Sequence, residues 1–176
     1  WLVALLEARI AVLRDDAPKA SVAFEHSIAT AEGLERRRVV AEYAEFVRGR
    51  GDPKRAASLL EEADAAATPT FRSFYARALY EAKEIVKLAA LVERAKAEGG
   101  ALPDWALLAG GNVALLQDDL PAAIDYLGEL SRRKPSEVDL RIRLAQTYVR
   151  ARQITQALGV LDALRDGGHA APHQLL

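Results

Sequence analysis

The sequence predicts an all-α fold, an α-solenoid of tandem helix pairs. Three observations predict it. Apolar residues recur at helical spacings of three and four, as in Leu2, Leu5, Leu6, Ile10 and Leu13, in Val40, Tyr43, Ala44 and Val47, and in Leu140, Leu144, Ala145 and Tyr148. Helix breakers return at regular intervals, and small residues keep a fixed distance from them. Ala (35) and Leu (25) supply most of the apolar residues, a composition that favours helix over sheet.

The breakers fall into two classes. Asp15-Asp16-Ala17-Pro18, Gly51-Asp52-Pro53 and Asp118-Asp119-Leu120-Pro121 each place an acidic residue before a Pro. The acid is suited to capping a helix, and Pro fits the first turn because its missing N–H has no intrahelical partner there. In Thr68-Pro69-Thr70, Leu102-Pro103-Asp104 and Lys134-Pro135-Ser136 the Pro stops the preceding helix. Thr70, Asp104 or Ser136 is then expected to cap the next one.

Alternating breakers imply helix pairs with a period near 34 residues. The expected repeats run 1–36, 37–70, 71–103, 104–137 and 138–171, beginning at Trp1, Arg37, Phe71, Asp104 and Val138. Residues 172–176 would open a further repeat or a tail. Position eight is then Ala8, Ala44, Ala78, Gly111 and Ala145, and position twenty is Ala20, Ala56, Ala90, Ala123 and Ala157. Helices cross closely only where the side chains between them are small. Larger residues stand at position 24, as Phe24, Leu60, Leu127 and Leu161. One pair cannot bury both of its faces, so the pairs must stack.

These features resemble the tetratricopeptide repeat family. The residues that carry the resemblance are Leu144-Ala145-x-x-Tyr148 with Ala157 and Leu161, and Gly111-Asn112 with Asp119-Leu120, Ala123-Ile124, Tyr126-Leu127 and Pro135. Tyr43-Ala44, Gly51-Asp52, Ala56, Leu60 and Ala63 match in the second repeat, and Ala8, Asp15-Asp16, Ala20 and Phe24 in the first. The repeat from Phe71 matches least, with Arg77 and Glu81 where apolar residues are usual. Trp105-x-x-Leu108-Ala109 also imitates the start of the motif two residues on, whereas Gly111 at position eight keeps the helix and turn lengths normal.

The resemblance implies a right-handed superhelix with a ligand groove along the first helix of each pair. The groove positions point to Arg9, Arg38, Arg72, Tyr75, Leu79, Trp105, Leu108, Asn112, Ile142, Arg143, Gln146 and Arg150. Tyr75, Leu79, Trp105, Leu108 and Ile142 would supply apolar affinity. Arg9, Arg38, Arg72, Arg143 and Arg150 would set orientation and favour acidic flanks. Asn112 stands where some family members hold a peptide's C-terminal carboxylate, but Leu108 and Leu116 replace the cations such a clamp needs. The expected function is a non-enzymatic scaffold that binds a protein or peptide partner in its groove. The alternative is a structural spacer in a larger bacterial envelope or exopolysaccharide-export protein, or the helical sensor region of a transcription regulator.

The remaining signals are negative. A net charge of −1 argues against nucleic acid as partner. No uncharged apolar window is long enough for membrane insertion. Without Cys there is no disulfide or thiolate metal site. His169 and His173 are spaced i, i+4 but interrupted by Pro172, and read as a helix end. His26 is isolated. Arg36-Arg37-Arg38 and Arg132-Arg133-Lys134 read as solvated helix ends, and Gly99-Gly100 and Gly110-Gly111 lack the strand and Lys-Ser/Thr of a phosphate loop. No convergent polar constellation suggests an enzyme, and no cofactor is implied. The chain has no Met and opens inside a helical pattern, as expected of a segment of a longer bacterial-type protein from cytoplasm or periplasm. Apolar faces at the two ends of such an array are expected to self-associate.

Overall fold

A computed structural model describes residues 1–166. Those residues form ten α-helices and no strand: α1 (Leu2–Leu13), α2 (Ala17–Thr30), α3 (Gly33–Gly49), α4 (Pro53–Glu62), α5 (Pro69–Glu81), α6 (Ile85–Ala97), α7 (Asp104–Leu116), α8 (Leu120–Arg133), α9 (Val138–Arg150) and α10 (Ile154–Asp166). His169, His173 and the expected start of a further repeat at Pro172 lie outside the described residues. The helices group into two compact units, Trp1–Glu84 and Ile85 onward.

In the first unit each helix packs on the next, from α1 to α5, and α3 also touches α5. Ala8 and Ala20 are fully buried on α1 and α2, as Ala44 and Ala56 are on α3 and α4. Their small side chains let the paired helices approach. Phe24 of α2 stacks on Tyr43 of α3 at 5.0 Å between ring centroids and meets Phe46 at 5.8 Å. Arg55 caps this cluster: its guanidinium lies 5.5 Å from the centre of the Tyr43 ring and donates to the Tyr43 hydroxyl at 2.7 Å. Burial, the largest influence, raises the Tyr43 hydroxyl above the usual tyrosine range.

In the second unit the helices again pack in sequence, from α6 to α10. Leu107, Leu127, Leu130, Leu140 and Leu144 form the core, with Leu102, Tyr126, Tyr148 and Val160 against it. Gly110 and Gly111 bring α7 onto α8. A Cβ on Gly110 would stand 2.8 Å from the Tyr126 ring, and one on Gly111 would stand 2.8 Å from Leu127 Cδ2. Both are far inside van der Waals contact, so no other residue fits at Gly111 without displacing a fully buried leucine.

The turn inside each successive pair is built one way. Asp15, Gly51, Lys83, Asp118 and Arg152 all have positive φ, between 55° and 90°. The next residue's N–H reaches back five residues, as Asp16 to the Ala11 carbonyl (2.9 Å) and Asp119 to the Ala114 carbonyl (2.9 Å). This is the Schellman closure of a helix end. Asp16, Asp52 and Asp119 then accept from the N–H of Lys19, Arg55 and Ala122, with Pro in the first turn. The second class of breakers behaves differently. Thr68, Pro103 and Glu137 are the N-cap residues, without side-chain cap bonds, and Thr70 and Asp104 fall inside their helices.

The left-handed turn residue also sets the register of the repeats. Counted from Lys83, the third pair begins at Pro69, two residues before Phe71. By that count Ala76 and Leu88 stand at positions eight and twenty, while Ala78 is itself fully buried. Leu88 is fully buried and Ala90 is exposed.

Candidate functional site: the α7–α9 face

The first unit places the expected groove residues apart from one another. Arg72, Tyr75 and Leu79 of α5 are buried, Leu79 completely. The Arg72 Nε donates to the Ala66 carbonyl at 2.6 Å, so its guanidinium braces the chain between α4 and α5 instead of edging a groove. A carboxylate at position 79 would be taken out of water with the rest of that side chain, at a cost of several kcal/mol. Arg9 and Arg38 are exposed but engaged. Arg9 makes a two-point pair with Glu42 at 2.7 and 2.8 Å, and Arg38 pairs with Glu35 at 2.8 Å. The Glu42 hydrogen bond is the main reason the Arg9 pKa is raised.

These contacts belong to a ladder of charges along α1, α3 and α5. Arg48 bonds Glu45 one turn back and Glu81 on α5, at 2.9–3.1 Å. Arg77 reaches Glu45 at 3.4 Å, and Arg50 reaches Asp15 at 2.7 Å. Arg48 is the most enclosed member, and its bond to Glu45 is the leading cause that raises its pKa. The groove positions alone do not show these acidic partners, which stand 32 to 35 residues away along the chain. The signal was there in outline: one repeat length separates donor from acceptor.

The second unit brings four of the expected residues together. A cleft of about 380 Å³ opens between α7 and α9. Trp105, Leu108, Leu130 and Leu140 give it apolar walls, and Asp104, Lys134, Glu137, Asp139 and Arg143 line its edge. Trp105 is half-buried, while Leu108 keeps 40 % exposure, so both offer apolar surface to a ligand. Lys134 pairs with Glu137 at 3.2 Å and Asp104 at 3.5 Å, and the Glu137 hydrogen bond leads in raising its pKa. Arg133 also donates to Asp104, at 3.4 Å. The rim cations at this end are therefore neutralised in place.

Arg143 is the exception. Its Nη1 donates to Asn112 Oδ1 at 2.7 Å, and among the described residues it forms no ion pair. Asn112 is buried on α7 and neutral, so it fixes the guanidinium without cancelling its charge. Arg143 is half-buried, which makes that charge more effective than one in open water. Further along α9, Gln146 is exposed, Ile142 is half-buried, and Arg150 is tied to Asp118 at 2.8 Å. Leu116 near the end of α7 is 52 % exposed.

Residues 114–175 match a family model described as tetratricopeptide repeat. Over that segment, about a third of its length, the chain is similar to the tetratricopeptide repeat family. The segment takes in the end of α7 and all of α8, α9 and α10. The ten-helix architecture is consistent with an array of such repeats. No curated protein and no solved structure matches the chain. Tetratricopeptide repeats generally mediate protein–protein interactions and are typically non-enzymatic, which makes an interaction scaffold the class of function suggested here. Among the described residues no three His, Asp or Glu side chains converge as a metal site, and no helix is long and apolar enough to cross a membrane.

Proposed function

We propose that this chain is a non-enzymatic scaffold whose α7–α9 face binds a segment of a partner protein. The observation that carries the reading is Arg143, held by Asn112 and in no ion pair among the described residues, beside the apolar cleft of Trp105, Leu108 and Leu140. An apolar partner side chain fills the cleft, and an acidic group beside it meets Arg143. The same reading demotes the first unit, whose expected groove cations are paired or buried. Arg150 serves as a strut to Asp118, and Ile142 and Gln146 extend the face.

The chain has two tryptophans, Trp1 and Trp105, so a Trp1→Phe variant makes Trp105 the sole indole reporter. Titration with acidic, leucine-containing peptides is expected to shift Trp105 emission. Arg143→Glu is expected to abolish the shift and leave the helical circular dichroism signal unchanged. An equal response from Arg143→Glu rejects the site.

A second reading rests on α1. Leu2, Val3, Leu6, Ile10 and Leu13 are all between 48 % and 87 % exposed on that one helix. Such a surface suits packing against another helix, as in a structural spacer or in self-association through an array end. Light scattering tests it: concentration-dependent association lost in Val3→Ser, Ile10→Ser supports it, and a monomer at high concentration removes it.

A further inference from the structure

Two opposite charges flank the apolar stripe of α1 without a partner inside the chain, and their spacing selects one outside it. We infer that α1 docks on α1 of a second copy of this chain, antiparallel and about a two-fold axis, with Glu7 of each copy paired to Arg14 of the other. This deepens the second reading above, that α1 packs on another helix, and rests on it.

Ala4, Leu5, Ala8 and Ala11 turn one side of α1 into the core of the first unit. At about 100° per residue, Val3, Leu6, Ile10 and Leu13 stand on the opposite side. All four are exposed, and their spacing of three, four and three is the seam that one neighbouring helix covers. Charged residues border it. Glu7 and Arg14 share one edge, and Arg9 holds the other. Glu7 and Arg14 are exposed, and neither forms an ion pair or a side-chain hydrogen bond among the described residues. Arg9 is already compensated by its two-point bond to Glu42 at 2.7 and 2.8 Å.

Charge decides the direction. In a parallel pair opposite edges meet, and Arg9 of one copy comes beside Arg14 of the other, cation against cation. In an antiparallel pair like edges meet. Val3 then lies level with Leu13 of the second copy, and Leu6 with Ile10, so the whole seam is covered. Glu7 stands about 7.5 Å along the axis from Arg14 of the second copy. Helical side chains lean toward their own N-terminus, so in antiparallel helices these two lean toward each other and close the gap. The two Glu7 side chains lean apart. The two Arg9 side chains meet, but Glu42 neutralises each. The two-fold axis makes the Glu7–Arg14 contact twice. One helix thus supplies both the apolar seam and the charges that complement it. Its 12 residues give a contact at the small end of specific interfaces. The dimer is therefore expected to dissociate at roughly tens of micromolar.

Sedimentation equilibrium of the full chain across the micromolar range reads the dimer. Glu7→Arg and Arg14→Glu each turn two attractions into two repulsions, and each is expected to weaken the dimer at least about tenfold. The double variant Glu7→Arg, Arg14→Glu should restore it to within about threefold. Helical circular dichroism should stay unchanged in all three, because neither side chain has a partner within the chain. The chain has no Cys, so single cysteines report direction. Val3→Cys mixed with Leu13→Cys in a glutathione redox buffer is expected to give the mixed disulfide in excess over either like pair. Association that ignores the charge reversals, or like pairs in excess, overturns the antiparallel pairing and leaves α1 standing as a helix-packing face. A monomer at every concentration overturns the second copy as the occupant, and self-association with it.

Discussion

Both nitrogens of one edge of the Arg9 guanidinium, Nε and Nη2, meet the two carboxylate oxygens of Glu42 at 2.7 and 2.8 Å, across 33 residues of chain. The pair joins α1 to α3, as Arg48 and Glu81 join α3 to α5, there through Nη1 alone while Nε and Nη2 grip Glu45. The two rungs differ in setting. The Arg9 side chain is 52 % exposed and that of Arg48 only 18 %. A double-mutant cycle on Arg9→Ala and Glu42→Ala is expected to give a coupling of at most about 1 kcal/mol, falling with salt. The cycle on Arg48→Ala and Glu81→Ala should give a larger and less salt-dependent value. Urea denaturation of the seven proteins measures both, and equal couplings would contradict the ladder's graded burial.

The same substitution at two glycines of neighbouring helices should have opposite signs. Gly111→Ala drives a methyl into Leu127, which has nowhere to move. Overpacking of this kind costs about 1–3 kcal/mol and outweighs the gain of about 1 kcal/mol in helix propensity. Nothing lies within 4 Å of the Cβ position of Gly128, so Gly128→Ala keeps the propensity gain. Thermal melts should move down for the first and up for the second.

Arg152 closes the last turn at φ 58°, a conformation that costs a residue with a Cβ about 1 kcal/mol relative to Gly. Its side chain is exposed and has no partner among the described residues. Arg152→Gly is expected to stabilise the second unit by roughly 0.5 kcal/mol after the added entropy of the unfolded chain is subtracted. Asp15→Gly should gain less, because it also removes the carboxylate that holds Arg50 at 2.7 Å. Denaturant midpoints of the two variants, compared with the parent, decide the point.

Alkaline pH should weaken the first unit through Tyr43. Burial raises the folded pKa of its hydroxyl above the unfolded value near 10. The folded form therefore holds its proton where the unfolded form has lost it. The stabilisation is complete below the unfolded pKa and disappears as pH climbs towards the folded one. Melting temperature is expected to fall as pH rises above about 10, and Tyr43→Phe should flatten that slope. An unchanged slope in the variant would assign the loss to other groups.

Much of the fold was legible in the sequence because it depends on local chemistry. Asp16, Asp52 and Asp119 cap as their position before Pro predicts, and Ala8, Ala20, Ala44 and Ala56 are buried where small residues recur. The register of the third repeat is less legible, since Lys83 takes the left-handed turn position without the Asp and Pro that follow it at Asp15 and Gly51. The candidate site was legible in part. Trp105, Leu108, Asn112 and Arg143 do converge, but Arg72, Tyr75 and Leu79 are buried. Periodicity locates a helical face without saying whether a neighbouring helix covers it. The partners of Arg9 and Arg150 are not legible in the sequence because each lies a repeat away, and only the packed structure brings the two together.

The turns within pairs are three residues long in all five cases, at 14–16, 50–52, 82–84, 117–119 and 151–153, while the connectors between pairs run to two, six, six and four residues. Length variation has therefore accumulated where it does no harm. One extra residue within a Schellman turn would displace the left-handed position and swing the following helix through about 100°. The same residue added at 67–68 or 99–101, clear of the closure at Asp64 and Ala65 and of the Ala66 and Leu102 carbonyls that Arg72 and Arg133 hold, only lengthens a strap. Those two connectors are the places where the gene can tolerate insertion, whether by drift or by the hand of someone adding a tag, and the tight turns are the places where a reading of related sequences should find no gaps at all.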